Sequence, residues 1–349
     1  MEFRDFYLGF CDYIKNTIGI YEREKELEAL LLGLFTGENV LFIGNPGTAK
    51  TMLVREFAKV FDFNFFSYQL NKYTEYQEVF GPFDLNKFKE GILERVSRIQ
   101  DAEIIYLDEV FRGSSAILNS LLSLFRERVV FDGYRDYKCK MIFTVGSSNF
   151  LPDKNYENEA FIDRFPLIRT LKPISVDGVI SAFKHTPSLN SFKVSRSDFE
   201  SLRSKVQDRV NLLKSDDSFE KIYTDSIFYL RTYNVISDRN LLSIPKFIAV
   251  LSLILEINDY PYLFYYLIHN FFNYKDFKVF EFLYSEEMKK ISGLMSRLAK
   301  ATLRDKAGAT VLVNEIRASL DKLNNPLDLE LSKVVVKDLE VFEKDLKGF

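Results

Sequence analysis

The run Gly44-Asn45-Pro46-Gly47-Thr48-Ala49-Lys50-Thr51 brings two glycines, a lysine and a hydroxyl together in the spacing of a phosphate-gripping loop. Glycine lets the backbone curl until its N–H groups, with the N-terminus of the following helix, point at phosphate oxygens. In such a loop Lys50 reaches the β- and γ-phosphates and the Thr51 hydroxyl binds Mg²⁺. Ala49 stands where the usual pattern has glycine. A second set of acids follows at the end of Glu103-Ile-Ile-Tyr-Leu107, where Asp108 and Glu109 are adjacent. Asp108 is placed to hold magnesium, directly or through water, and Glu109 to orient and deprotonate an attacking water. Hydrolysis of a phosphoanhydride needs both roles, because its catalysis is mostly positioning and charge stabilisation.

These groups need a scaffold that holds them at one edge. Val40-Leu-Phe-Ile43 reads as a buried strand before the loop, and the residues from Met52 to Phe61 carry apolar positions at helical spacing after it. That strand–loop–helix setting separates a phosphate loop from an ordinary turn that carries a lysine. The run ending at Leu107 reads as a second buried parallel strand, and acids at its C-terminal end fall where α/β sheets place ligands. A third strand, Met141-Ile-Phe-Thr-Val-Gly146, leads to Asn149, whose amide would fix the lytic water beside Glu109. Arg164 closes a helical turn just before another apolar strand.

The order of phosphate loop, Asp-Glu, Asn and Asp163-Arg164-Phe165 resembles the AAA+ ATPases and, within that class, the MoxR family. The RavA-like branch matches in its particular words: Ile20-Tyr-Glu-Arg23, Val79-Phe-Gly-Pro82, Ile117-Leu-Asn119, Glu127-Arg128, Leu151-Pro152 and Ser237-Asp-Arg239. The resemblance covers roughly residues 21–239, and Ala49 is a normal occupant of its position in that family. It implies ATP and Mg²⁺ as cofactors and a ring, expected to be a homo-hexamer. Arg164 resembles an arginine finger that reaches the γ-phosphate held by the neighbouring subunit. Arg239 resembles a sensor arginine that reports nucleotide state from the lid of its own subunit. Pro245, which removes a helix hydrogen bond, predicts a sensor helix that is kinked or begins late.

The expected fold class is α/β: an AAA+ core over residues 1–182 with a parallel sheet sandwiched by helices. An all-α lid over 183–284 and a helical C-terminal extension over 285–349, broken at Asn324-Asn-Pro326, complete it. Helices are expected at residues 3–16, 22–35 and 115–125, the last capped by Ser114 or Ser115. A strand is expected at 62–68, an irregular insert at 71–94, and a hairpin of 129–131 with 137–141 around Asp132-Gly133. Ser197-Asp-Phe-Glu200 reads as the capped start of the lid.

The remaining features bound the partners. A formal net charge of −3 argues against a dedicated nucleic-acid binder. The alternative, an AAA+ motor or loader on nucleic acid, rests on Arg126, Arg128, Arg135, Lys138 and Lys140 near the hairpin, with Glu127, Asp132 and Asp136 interleaved. The family words favour a protein-remodelling ATPase acting on a protein client, with a von Willebrand factor A-domain partner. A slowly hydrolysing scaffold is the third reading, and intact Glu109, Asn149 and Arg164 argue against it. Cys11 and Cys139 are too few for a disulfide framework or zinc site, and His185 and His269 read as structural. The charged start Met1-Glu-Phe-Arg-Asp-Phe6 carries no leader pattern, and residues 260–272 are too short and interrupted to span a bilayer. The expected location is the cytoplasm, without membrane attachment.

Overall fold

The computed structural model describes residues 2–131, 136–152, 156–186, 191–232, 236–272, 286–300 and 306–323, with single positions or short pieces at 283 and between 327 and 339. Its elements follow the chain as α1 (Phe3–Asp12), α2 (Glu24–Thr36), β1 (Val40–Ile43), α3 (Lys50–Val60), β2 (Phe65–Gln69), α4 (Tyr76–Phe80) and α5 (Leu85–Lys89). Next come β3 (Ile104–Asp108), α6 (Ser115–Glu127), β4 (Val129–Phe131), β5 (Asp136–Lys138), β6 (Phe143–Ser148), α7 (Tyr156–Ile162) and β7 (Leu167–Thr170). From there the described chain is helical: α8 (Val176–Phe183), α9 (Arg196–Leu213), α10 (Asp217–Thr232), α11 (Asp238–Leu241), α12 (Ile244–Leu255), α13 (Tyr260–Phe271), α14 (Glu286–Lys300) and α15 (Lys306–Leu320).

Five strands form one parallel sheet in the order β2-β3-β6-β1-β7. Because all run the same way, the residues following β1, β3 and β6 emerge at one edge, and those preceding β1 and β7 lie at the other. The fold is therefore the expected α/β AAA+ core with a parallel sheet between helices. Successive residues of a strand face opposite sides. Val40, Phe42, Ile104 and Tyr106 thus enter one apolar layer, while Leu41, Ile43, Ile105 and Leu107 enter the other. Helices α2, α3, α12 and α13 contribute to the first layer and α6 to the second. Phenylalanines interlock α1 with α3, Phe10 lying 5.6 Å from Phe57 and Phe6 5.8 Å from Phe61.

Among the described residues the first layer extends from Phe3 through the lid helices to Ile316 and Leu339. Helix α13 is buried against this layer through Leu263, Phe264, Leu267 and Ile268. Among the described residues no single helix is long and apolar enough to cross a membrane.

Several local expectations need correction. The insert at 71–94 is not irregular: it forms α4, closed by a capping box between Glu75 and Glu78, and α5, capped by Asp84. The lid helix α9 is capped by Ser195 rather than Ser197, because the Ser195 hydroxyl accepts the Asp198 N–H. The hairpin's second strand is 136–138, and its Asp132-Gly133 turn lies outside the described residues, as does Asn324-Asn-Pro326. The helix at Pro245 begins after Arg239. Pro245 sits in the first turn of α12, where a missing N–H costs nothing, and leaves α11 as a single turn that carries Arg239.

Candidate functional site

The loop between β1 and α3 is held by contacts on both sides. Gly44 accepts no side chain, because a Cβ there would lie 2.9 Å from the Leu171 carbonyl oxygen. Gly47 takes φ +82, which L-residues rarely adopt. Ala49 adopts the left-handed region too, at φ +63, and starts α3 without a side-chain cap. Buried Arg23, from the Ile20–Arg23 word, donates to the Thr48 carbonyl at 3.4 Å and to the Lys172 carbonyl at 3.0 Å. Lys50 Nζ donates to the carbonyls of Gly44 at 2.7 Å and Asn45 at 3.0 Å, and Thr48 Oγ1 donates to Asn45 at 2.9 Å. Burial lowers the Lys50 pKa, and the nearby acids Asp108 and Glu109 oppose that shift.

Asp108 and Glu109 follow β3 at the same edge. Asp108 Oδ1 accepts from Ser147 Oγ and from the Glu109 N–H at 3.1 Å. Thr51 Oγ1 lies 3.1 Å from the Tyr106 hydroxyl, which in turn lies 2.9 Å from Ser147 Oγ and 3.4 Å from Asp108 Oδ1. Burial pushes the Tyr106 phenol up to about 12. A hydroxyl and a carboxylate at the mouth of a phosphate loop are hard oxygen donors. They suit a magnesium ion that keeps most of its waters and takes its remaining ligands from phosphate. Among the described residues no group of three or more acids, histidines or cysteines is placed to hold a metal ion.

Glu109 occupies the left-handed region at φ +51, a conformation that costs a non-glycine residue about 1–3 kcal/mol. The turn carries its side chain to Asn149, whose Nδ2 donates to Glu109 Oε1 at 2.7 Å. The other carboxylate oxygen, Oε2, is buried and receives no hydrogen bond. Arg112 Nε comes within 3.2 Å of it but off the donor axis, so this is an ion contact alone. One oxygen is thus fixed by Asn149, and the other carries no hydrogen bond and stands against Arg112.

The two arginines of interest lie elsewhere. Arg164 precedes β7, so it falls at the edge opposite Lys50, and Arg239 lies beside it. Both line a cavity of about 210 Å³ with Arg126, Arg128, Glu38 and Asp163. Arg164 Nη1 donates to Asp163 at 3.0 Å, while its buried Nε has no partner. Burial first, and the neighbouring Arg239 second, lower the Arg164 pKa. Asn240 Nδ2 donates to the Asp163 carbonyl at 3.1 Å and fixes α11 against this corner. Arg239, expected to serve the nucleotide of its own subunit, lies on α11, which packs on the edge away from that loop.

The sequence reading missed Arg23, Tyr106, Ser147 and Asn240. Arg23 stood in the Ile20–Arg23 word without a role, and Tyr106 carried a visible signal, a hydroxyl inside an otherwise aliphatic strand. Two cations assigned to a nucleic-acid surface are already engaged. Arg128 donates to the carbonyls of Met141, Ile142 and Gly37, and Lys140 pairs with Asp101 at 2.8 Å. Arg135 lies outside the described residues.

Comparison with known proteins adds a family. The model of the MoxR domain in the MoxR–vWA–beta-propeller ternary systems matches residues 11–196. The uncharacterized protein MJ0812 of Methanocaldococcus jannaschii is 36% identical over 166 residues, 46% of this chain and 44% of that protein. MJ0079 of the same organism is 35% identical over 177 residues, 49% of this chain and 46% of that protein. The structural protein ORF618 of Acidianus two-tailed virus is 30% identical over 158 residues, 43% of this chain and 25% of that protein. The chain thus spans less than half the length of these relatives. The crystal structure of a candidate ATPase from Cytophaga hutchinsonii shares the fold, with a TM-score of 0.56 at 19% identity, over 92% of this chain and 95% of that one.

Proposed function

Since the chain belongs to the MoxR family of AAA+ proteins, in the group of MoxR domains from MoxR–vWA–beta-propeller ternary systems, we propose that it binds ATP with magnesium and hydrolyses it to ADP and phosphate. The observation that carries this reading is the Glu109 carboxylate, pinned through Oε1 by Asn149 and without a hydrogen bond at Oε2, at the edge that also holds Lys50. Lys50 would leave the loop carbonyls for the β- and γ-phosphates. Thr51 and Asp108 would hold magnesium, which when bound neutralises charge on the phosphate oxygens. Glu109 would accept the proton of an attacking water through Oε2, while Asn149 keeps the carboxylate and that water in line.

The arginines complete the proposal. Arg164 and Arg239 share a cavity too far around the sheet to serve their own loop, and guanidinium forks suit phosphate oxygens. They would be supplied to the site of the next subunit, in a ring that the family resemblance makes a homo-hexamer. Its work would be remodelling of a protein client in the cytoplasm, together with a von Willebrand factor A-domain partner, as in the RavA-like branch its words resemble. Engagement of Arg128 within the fold removes one of the cations on which the nucleic-acid reading rested.

The test is phosphate release from Mg–ATP by the wild-type protein and by Lys50→Ala. The wild type should turn over and the variant should bind nucleotide weakly or not at all. A wild type without ATP-dependent phosphate release, or a variant binding ATP as well as wild type, would overturn the assignment.

A further inference from the structure

Tyr106 is the central polar atom of the candidate magnesium site, although it is neither a loop residue nor an acid. It stands two positions before Asp108 in β3, so both side chains rise from the same face of the strand. Its ring is fully buried in the apolar layer, and its hydroxyl ends within hydrogen-bond range of three groups from three separate segments. Thr51 comes from α3, Ser147 from β6 and Asp108 from the end of β3 itself.

Counting protons gives these contacts a direction. Asp108 is an acceptor when ionised, so Ser147 Oγ spends its single proton on Oδ1. The Tyr106 hydroxyl has one proton, which goes to Ser147 Oγ or to Asp108, and lone pairs left to accept from Thr51 Oγ1. The chain therefore runs from Thr51 to Tyr106 and ends on the Asp108 carboxylate. The Thr51 proton is turned inward, and the lone pairs of its oxygen are left facing outward. A cation needs those lone pairs.

We propose that Tyr106 is a positioning residue that orients the Thr51 hydroxyl and the Asp108 carboxylate as a ready-made magnesium site before nucleotide arrives. The inference rests on the ATPase reading and adds to it a residue inside strand β3. Without the phenol oxygen, Thr51 is free to rotate and Asp108 loses a tether, so magnesium itself must impose the order. Binding of nucleotide without metal does not pass through this chain and should not depend on it.

The experiment measures binding of a fluorescent N-methylanthraniloyl ADP to the full chain, first in EDTA and then across a magnesium titration. Tyr106→Phe keeps the ring and its packing while deleting one hydroxyl. Affinity in EDTA should match wild type, and the magnesium concentration for half-maximal effect should rise about tenfold, the scale of a lost hydrogen bond in a network ending on a charge. Ser147→Ala, which cuts the next link, should shift the titration the same way and carries the test if a melting curve shows Tyr106→Phe misfolded. An unchanged magnesium midpoint in both variants would overturn the proposal. So would an equal loss of affinity in EDTA, which marks a merely structural residue. A wild type that binds nucleotide in neither condition would instead sink the ATPase reading itself.

Discussion

Arg239 lies beside Arg164, close enough to press on its charge, and both stand across the sheet from Lys50. They share one cavity with Arg126, Arg128, Glu38 and Asp163, so four guanidinium groups face two carboxylates there, and the buried Arg164 Nε has no partner within the subunit. That surplus of positive charge suits an anion, which guanidinium forks bind well.

A mixing experiment follows from this arrangement. Arg164→Ala and Lys50→Ala should each abolish hydrolysis, the first while still binding ATP, since arginines supplied in trans contribute roughly a thousandfold or more. Combined, they should recover part of the activity, because some interfaces would join an intact loop to an intact arginine. Arg239→Ala should behave in the mixture as Arg164→Ala does. A mixture as inactive as its parents, in hetero-rings shown to form, would contradict a shared site.

Arg128 supplies a prediction about stability. Its guanidinium serves three carbonyls that join the start of β6 to the end of α2, so Arg128→Met strands buried acceptors. Unsatisfied groups of this kind cost about 1–3 kcal/mol each, and partial access of water limits the sum to about 2–4 kcal/mol. Urea unfolding should show that loss with nucleotide affinity little changed. A variant as stable as wild type would show that Arg128 is free for an outside partner.

The first half of the chain was the more legible in sequence, for a physical reason. Loop glycines, buried aliphatic strands and acids at strand ends each have few local alternatives, so the parallel sheet, the phosphate loop and the edge holding Asp108, Glu109 and Asn149 could be read directly. The meeting of Glu109 with Asn149 depends on the order of β3 and β6, which the parallel-strand reading supplied. What escaped depended on packing across long separations. The edge that Arg239 occupies was not legible, because α11 is positioned by Asn240 on Asp163, a contact 77 residues apart that no periodicity reveals. The insert at 71–94 hid two short helices whose caps, Glu75 and Asp84, are ordinary surface acids in the sequence. Tyr106 was read as one more apolar strand residue, since its hydroxyl matters only once Thr51 and Ser147 converge on it.

The most direct test of the account compares ATP binding with ATP hydrolysis in Glu109→Gln. The amide keeps the size and the approach of Asn149 but cannot take a proton from water. ATP affinity should stay near wild type while turnover falls about a hundredfold to ten-thousandfold, the usual worth of a general base. Turnover within a few-fold of wild type, with ATP bound normally, would show that Glu109 does not activate the water and would contradict the mechanism.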